Sequence, residues 1–355
     1  MKSASIWSRL ADVAGLVATP LAPSHYLALV SPLSATHCRQ ARVEAVDEET
    51  ADVRTLTLRT GRGWVPHRAG QHVRVQIAVD GRLTTRMYSI SSAAPGDGRI
   101  TITVKAQGRA SRVLTEQVTP GAYLSLGLPE GDFVLPDGDP AHLLFVTGGS
   151  GITPVASMVR TLAARGALRD IVHVHHARTP SDEIFGRELR ALAAEHPGYQ
   201  LTIVHTADDP RRLSADRLDE LVPDWRTRET WACGPASVLA AMTIAFDAAG
   251  RAGALHIERF AAALAPLPAN DSGGRVRFIT SRTEAHGDGR TPLLRVAETA
   301  GVNAPHGCRM GICHSCDATL VTGCVRDLRT GDLAEPGTRV QICVCAAAGD
   351  VELDL

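Results

Sequence analysis

The chain is predicted to be a multidomain protein: an antiparallel β-barrel, then an α/β domain with a parallel sheet, then a small domain of short strands. Three observations carry that prediction. Between Cys38 and about Pro136, short alternating runs are separated by glycine turns, whereas from about Asp137 to Ala262 apolar runs alternate with helical stretches. Near the C-terminus, PHGCRMGICHSC (Pro305 to Cys316) gathers three cysteines in one loop. A length of 355 residues suits two or three domains. The expected boundaries are a leader at 1–38, the barrel at 39–136, the α/β domain at 137–262, a linker at 263–272 and the cysteine-loop domain at 273–355.

The totals exclude several classes. With 44% hydrophobic and 21% charged residues the composition is ordinary for a globular protein, and a formal net charge of -1 argues against nucleic acid as a partner. Eight cysteines in a chain this long are not a disulfide framework, so a reduced, cytoplasmic setting is expected.

In the leader, the run from Ile6 to Val17 is weakly amphipathic and is interrupted by Arg9 and Asp12, while Pro20, Pro23 and Pro32 break the stretch after it. The run is too short and too polar to span a bilayer, and no clear cleavage site comes after it. A helix and an extended arm packed on the next domain are expected; a peripheral contact with a membrane or a membrane-bound partner is the alternative.

The barrel region carries strands at Val53 to Leu58, Val73 to Val79 and Ile100 to Lys105. Within it, RMYSISS (Arg86 to Ser92) sets Arg86 and Tyr88 on one face of a strand. A guanidinium for phosphate, an aromatic ring for an isoalloxazine face and a hydroxyl near its polar edge suit a flavin. GRASRVL (Gly108 to Leu114) puts a glycine and a serine before a helical run, whose amides and dipole suit a pyrophosphate.

In the α/β region HLLFVTGGSGITP (His142 to Pro154) is an apolar strand ending in Gly148, Gly149 and Gly151, followed by a helix with Pro154 in its first turn. A glycine turn feeding a helix start binds phosphate, although this is not the G-x-G-x-x-G fingerprint. Further parallel strands are expected at Ile171 to Arg178 and Leu201 to Ala207, and WACGP puts Cys233 and Gly234 at another strand end, where ligands sit. After the second strand Arg178 comes before Asp182 and Glu183, so the nearest charge is a cation, which favours the 2′-phosphate of NADPH over NADH; Arg211 and Arg212 could add to it.

The stretch from about Ala263 to Gly274 is a linker rich in Ala and Pro. The last domain reads as strands at Val276 to Ile279 and Leu293 to Val296, a helix at Ala297 to Ala300, the cysteine loop, and short strands to Leu355. Cys308, Cys313 and Cys316 stand as C-x4-C-x2-C, the plant-type [2Fe–2S] spacing, in a loop that Gly307 and Gly311 let wrap tightly. Zinc sites pair cysteines differently, and His306 and His314 are not placed as Rieske ligands. Cys343 and Cys345, two apart, would face one side of an extended segment, so spacing leaves the fourth ligand open.

RMYS, GRAS, GGSGITP, CGP and IERF in that order, followed by this cysteine spacing, resemble the ferredoxin–NADP reductase superfamily, in the subgroup with a C-terminal plant-type ferredoxin of β-grasp fold; the resemblance covers about residues 39–355. PLAPSHYLALVSPL (Pro20 to Leu33) resembles the leader of actinobacterial reductases that serve membrane-bound acyl-CoA or acyl-lipid desaturases. The resemblance implies Arg86 at a flavin phosphate, Tyr88 over one isoalloxazine face and Ser89 near N5. It implies Gly108 and Ser111 at the pyrophosphate of FAD, and Gly148, Gly149, Gly151 and Thr153 at the dinucleotide. Cys233 and Gly234 would flank the nicotinamide path, and Glu258 and Phe260 would lie by the flavin's other face. Counting seven back from Asp350, as in plant-type ferredoxins, makes Cys343 the fourth ligand. A nicotinamide gives hydride, a cluster accepts single electrons, and a flavin handles both. The expected activity is therefore electron transfer from NADPH or NADH through FAD and [2Fe–2S] to a partner, with a fatty acyl desaturase first and the oxygenase component of a Rieske-type ring or steroid hydroxylase second. A redox- or iron-sensing or zinc-binding protein without turnover is the reading from a different class.

Overall fold

The structure, a computed structural model, describes residues 31–34, 39–79, 81–138, 140–260, 273–307, 309–311 and 314–355. Most of the leader, the expected linker, Cys308 and Cys313 lie outside the described residues. The chain forms two compact units, one of Met1–Leu83 with Tyr88–Glu258 and one of Thr84–Met87 with Arg259–Leu355. No helix among the described residues is long and apolar enough to cross a membrane.

Two sheets are built mainly from residues of the first unit. Strands β1 (Arg39–Thr50), β2 (Val53–Thr60), β3 (His72–Val79), β4 (Arg82–Ser89), β5 (Arg99–Lys105) and β6 (Tyr123–Glu130) form a six-stranded sheet in the order β4-β3-β6-β1-β2-β5. Its pairs β1/β2, β1/β6, β2/β5 and β3/β6 are antiparallel. Alternation explains the folding: in β3, Val73, Val75 and Ile77 turn inward while Arg74 and Gln76 turn out. They meet Leu56, Leu58, Ile90, Ile100 and Ile102 in one core, closed by Leu114 of helix α1 (Arg109–Glu116), whose Ala110 and Leu114 lie four apart on its buried face.

The second sheet is parallel: β7 (Leu143–Gly148), β8 (Ile171–Ala177), β9 (Tyr199–His205), β10 (Glu229–Cys233) and β11 (Leu255–Glu258) run in the order β11-β10-β7-β8-β9. The central strand β7 is buried at every residue, as a strand covered on both faces must be. Helices α2 (Ile152–Ala164), α3 (Gly186–Glu195), α4 (Ala215–Leu221) and α5 (Ala236–Ala248) provide the cover. Because the chain runs outward from β7 to β9 and then returns to the other side of β7, the strand order reverses between β7 and β10, the place where ligands of such sheets bind. Helix α2 also ties the two sheets together: Ser157 Oγ donates to Ser92 O at 2.6 Å and Arg160 Nη1 to Ser91 O at 2.6 Å.

The second unit has a five-stranded mixed sheet, β13-β12-β19-β14-β17, and a three-stranded one, β16-β15-β18. Their strands are β12 (Gly274–Phe278), β13 (Thr283–Gly287), β14 (Asp317–Thr322), β15 (Val325–Asp327), β16 (Leu333–Ala334), β17 (Arg339–Gln341), β18 (Cys345–Ala347) and β19 (Val351–Asp354). The run Leu293–Val296, expected as a strand, is the start of helix α6 (Leu293–Thr299). Leu293, Leu294, Val296 and Ala297 are its buried residues, a helical spacing that the apolar run disguised. The partner of β12 is instead TEAHG at β13, an edge strand with little apolar content.

Candidate functional site

Ser89 ends β4 and is buried, with no hydrogen-bond partner for its Oγ among the described residues. The N–H of Ile90 bonds Gln71 O at 2.9 Å, which holds the end of β4 beside the start of β3. There His72 Nδ1 lies 3.5 Å from Glu258 Oε1, at the end of β11. Glu258 is buried and its other oxygen has no partner among the described residues; burial raises its carboxyl above the ordinary value, against the opposing pull of His72. Cys233, opposite Glu258 in the ladder, is fully buried, and burial followed by the carboxylate pushes its thiol well up. It offers backbone, not a reactive side chain. His72 was not legible in the sequence, since a histidine opening a strand carries no signal of a partner almost two hundred residues away.

Tyr88 is half-buried and packs partly on the barrel core, while Arg86, also half-buried, donates to Thr85 O at 2.8 Å. At the start of α1, a Cβ on Gly108 would meet nothing within 4 Å among the described residues, so these leave open space in front of the turn. Ser111 Oγ accepts from Gly108 N at 2.8 Å and Gln107 N at 3.0 Å, so its hydroxyl caps the helix start.

The glycines after β7 serve the fold more directly than expected. A Cβ at Gly151 would stand 2.2 Å from Cys233 O, one at Gly148 2.7 Å from Pro235 Cδ, and one at Gly234 2.9 Å from Gly148 N. Only glycine lets the turns after β7 and β10 approach this closely. Gly149 differs: its φ is +52° and a Cβ there would meet nothing within 4 Å among the described residues. Thr153 is buried and its hydroxyl donates to Ser150 O at 3.0 Å, bracing the turn. Beneath it, Thr147 Oγ1 lies 2.8 Å from both His173 Nε2 and His175 Nδ1, and His173 Nδ1 is 2.7 Å from Tyr199 OH. With Tyr199 donating, the protons run Tyr199 to His173 to Thr147 to His175, and the atom left over is His175 Nε2.

Arg178 follows β8, exposed, and its guanidinium has no hydrogen bond or ion pair among the described residues. Glu183 is already engaged by Arg190 at 2.6 Å and His205 at 2.7 Å, and Arg211 by Asp209 and Glu220. Phe260 is exposed and falls in the second unit.

In that unit Cys316 and Cys343 are hydrogen-bonded neighbours, a contact that holds the Cys316 thiol down to about 7. Residues 342–344 form a turn closed by Val344 N to Gln341 O at 3.0 Å, so Cys343 and Cys345 do not share one extended segment as their spacing suggested. Cys345 belongs to β18, and burial pushes its thiol up to about 12.

Residues 40–135 match the oxidoreductase FAD-binding domain, 145–242 the oxidoreductase NAD-binding domain and 279–348 the 2Fe-2S iron-sulfur cluster binding domain. An NADPH oxidoreductase of Mycobacterium tuberculosis is 47% identical over 98% of this chain and 93% of its own length. The chain belongs to the ferredoxin–NADP reductase superfamily, in the subgroup with a C-terminal [2Fe–2S] domain. Another relative is the ferredoxin reductase component of 3-ketosteroid-9-alpha-monooxygenase from Mycolicibacterium smegmatis, 31% identical over 85% of this chain and 91% of its own. Among solved structures, phthalate dioxygenase reductase is similar with a TM-score of 0.62 and 26% identity, over 89% of this chain and 97% of that one.

This superfamily member is an NAD(P)H-dependent oxidoreductase with FAD and a [2Fe–2S] cluster. The residues fit those groups. The orphaned buried oxygens of Ser89 and Glu258 suit the polar edge of a ring system, the open space at Gly108 and Gly149 suits phosphates, and a buried pair of adjoining thiols suits iron.

Proposed function

We propose that the chain is the reductase component of an oxygenase system, drawing electrons from NADPH and delivering them singly to a separate oxygenase protein. The observation that carries it is the union of hydride-handling and thiolate-bearing units on one polypeptide. Two of the relatives, a monooxygenase reductase component and a dioxygenase reductase, support an oxygenase as acceptor. They lend no support to the desaturase expected from the leader, which lies largely outside the described residues.

When bound, the flavin supplies the conversion between hydride and single electrons. In this reading Arg86 and the start of α1 hold its phosphates, Tyr88 lies against the ring, and Ser89 offers its free hydroxyl to the ring edge. Glu258 sits where the nicotinamide enters, its carboxyl raised above the ordinary value by burial and its free oxygen turned to the ring system; the backbone at Cys233 and Gly234 lines the path. Cys308, Cys313, Cys316 and Cys343 hold the cluster. Arg178 is the contact for the 2′-phosphate, because it is exposed and uncommitted while Glu183, which would repel that phosphate, is turned to Arg190 and His205.

The test is an anaerobic titration. NADPH should bleach flavin and cluster bands together, and an oxidised Rieske-type oxygenase should restore them; failure of every such oxygenase alongside reoxidation by a desaturase would overturn the acceptor. For the coenzyme, a charge-assisted contact is worth about 1.5–3 kcal/mol. Arg178→Ala should therefore lower kcat/KM for NADPH roughly ten- to a hundredfold and leave NADH nearly unchanged. Equal losses would assign Arg178 to the fold or to the phosphates that both coenzymes share.

A further inference from the structure

Arg329 stands just after β15 and spreads its guanidinium over three segments. Nε and Nη2 grip the carboxylate of Asp327 at 3.1 and 2.6 Å, Nη2 also donates to Gln341 Oε1 at 3.1 Å, and Nη1 donates to Gly311 O at 2.8 Å. Asp327 faces Cys345 across the ladder, Gln341 ends β17 two residues before Cys343, and Gly311 lies between Cys308 and Cys313. One side chain thus ties the cysteine loop to both segments that flank Cys343. The loop is shaped around it: Gly311 has φ +71°, and a Cβ there would stand 2.3 Å from Arg329 Nη1 and 2.8 Å from Val344 Cγ2. The backbone N–H of Arg329 bonds the same Asp327 oxygen at 2.8 Å, so the carboxylate that anchors the guanidinium is itself held from two sides.

We propose that Arg329 is a positioning residue for the iron–sulfur cluster, pinning the cysteine loop at Gly311 and fixing a positive charge beside Cys343 and Cys345 that raises the reduction potential. Reduction adds one electron, and hence one negative charge, to an already anionic tetrathiolate site; no bond forms or breaks and no proton is needed. A fixed cation stabilises the more negative state more, and net charge and hydrogen bonding are among the levers that set such potentials. The guanidinium acts on both thiols, and at Cys345 it offsets the carboxylate of Asp327, which acts more strongly in the opposite sense, so that removing the guanidinium leaves that negative charge unopposed. Lysine could supply the charge but could not satisfy three acceptors in a plane.

The inference rests on the reading that this unit binds a [2Fe–2S] cluster, and the wild-type visible spectrum separates the two, since a missing cluster band would defeat that reading first. The experiment is a redox titration of the full chain, following cluster absorption and electron paramagnetic resonance. Arg329→Gln should lower the reduced-to-oxidised ratio about tenfold at the wild-type midpoint, a fall of about 59 mV for a one-electron couple. A loaded Arg329→Gln protein with the wild-type midpoint overturns the proposal. Should that variant take up no cluster, Arg329→Lys decides through hydrogen–deuterium exchange at the amides of residues 309–314. Exchange about tenfold or more faster than wild type supports the clamp, since each tenfold is about 1.4 kcal/mol of lost protection; wild-type protection overturns it.

Discussion

At the scale of single residues, the cysteines and histidines give the sharpest tests. Cys343 touches Cys316 whereas Cys345 is built into β18, so Cys343→Ser should abolish the cluster band and Cys345→Ser should keep it. Absorption spectra of the two purified variants settle the assignment, and the reverse pattern would make Cys345 the ligand. His175 offers a test of linkage. Its ring is buried, and burial lowers its pKa from 6.5 to about 3. Below pH 6.5 the unfolded chain therefore takes up a proton that the folded chain refuses, and stability falls as the pH drops from there towards 3. His175→Gln removes that difference and should flatten the loss by up to about 1.4 kcal/mol per pH unit. Urea unfolding followed by tryptophan fluorescence between about pH 7 and about pH 5 measures it; an unchanged slope would mean that the ring titrates freely in the fold.

At the scale of elements, the close approach of two turns governs the dinucleotide end of the parallel sheet. Gly151→Ala places a methyl 2.2 Å from a backbone oxygen that cannot swing aside, so the turns must separate. Overpacking of this kind costs about 1–3 kcal/mol, and the variant should melt earlier and show a raised KM for NADPH. Gly108→Ala, with extended backbone and open space, should leave the melting temperature within the small range of surface changes, about 0.5 kcal/mol. Calorimetry on the pair checks both. The two positions also show what the sequence could convey. GGSGITP revealed a strand, a tight turn and a helix because these are set within a few residues. It could not reveal that Gly151 and Cys233 meet, because that contact exists only once β7 and β10 pair. The same limit hid the partnership of His72 with Glu258 and that of Arg329 with Gly311. The error at Leu293 had another source: four apolar residues in five fit a buried strand or a helix start equally well, and only packing against the sheet decides.

At the scale of the whole molecule, the division into two compact units predicts that the functions separate. A fragment ending near Ala262 contains every residue assigned to flavin and dinucleotide, and should reduce ferricyanide with NADPH yet fail with cytochrome c. A fragment that folds without binding flavin would refute the assignment of those residues to the flavin.

The two units share one polypeptide. In kinetic terms this changes the order of the reaction. Electron passage from the first unit to the second is unimolecular in the intact chain, governed by an effective concentration that tethering can raise to the order of millimolar. Its rate should be independent of protein concentration and nearly indifferent to dilution. With residues 1–262 and 273–355 supplied as separate fragments, the same step becomes bimolecular, and stopped-flow traces of cluster reduction should scale with the concentration of the added partner.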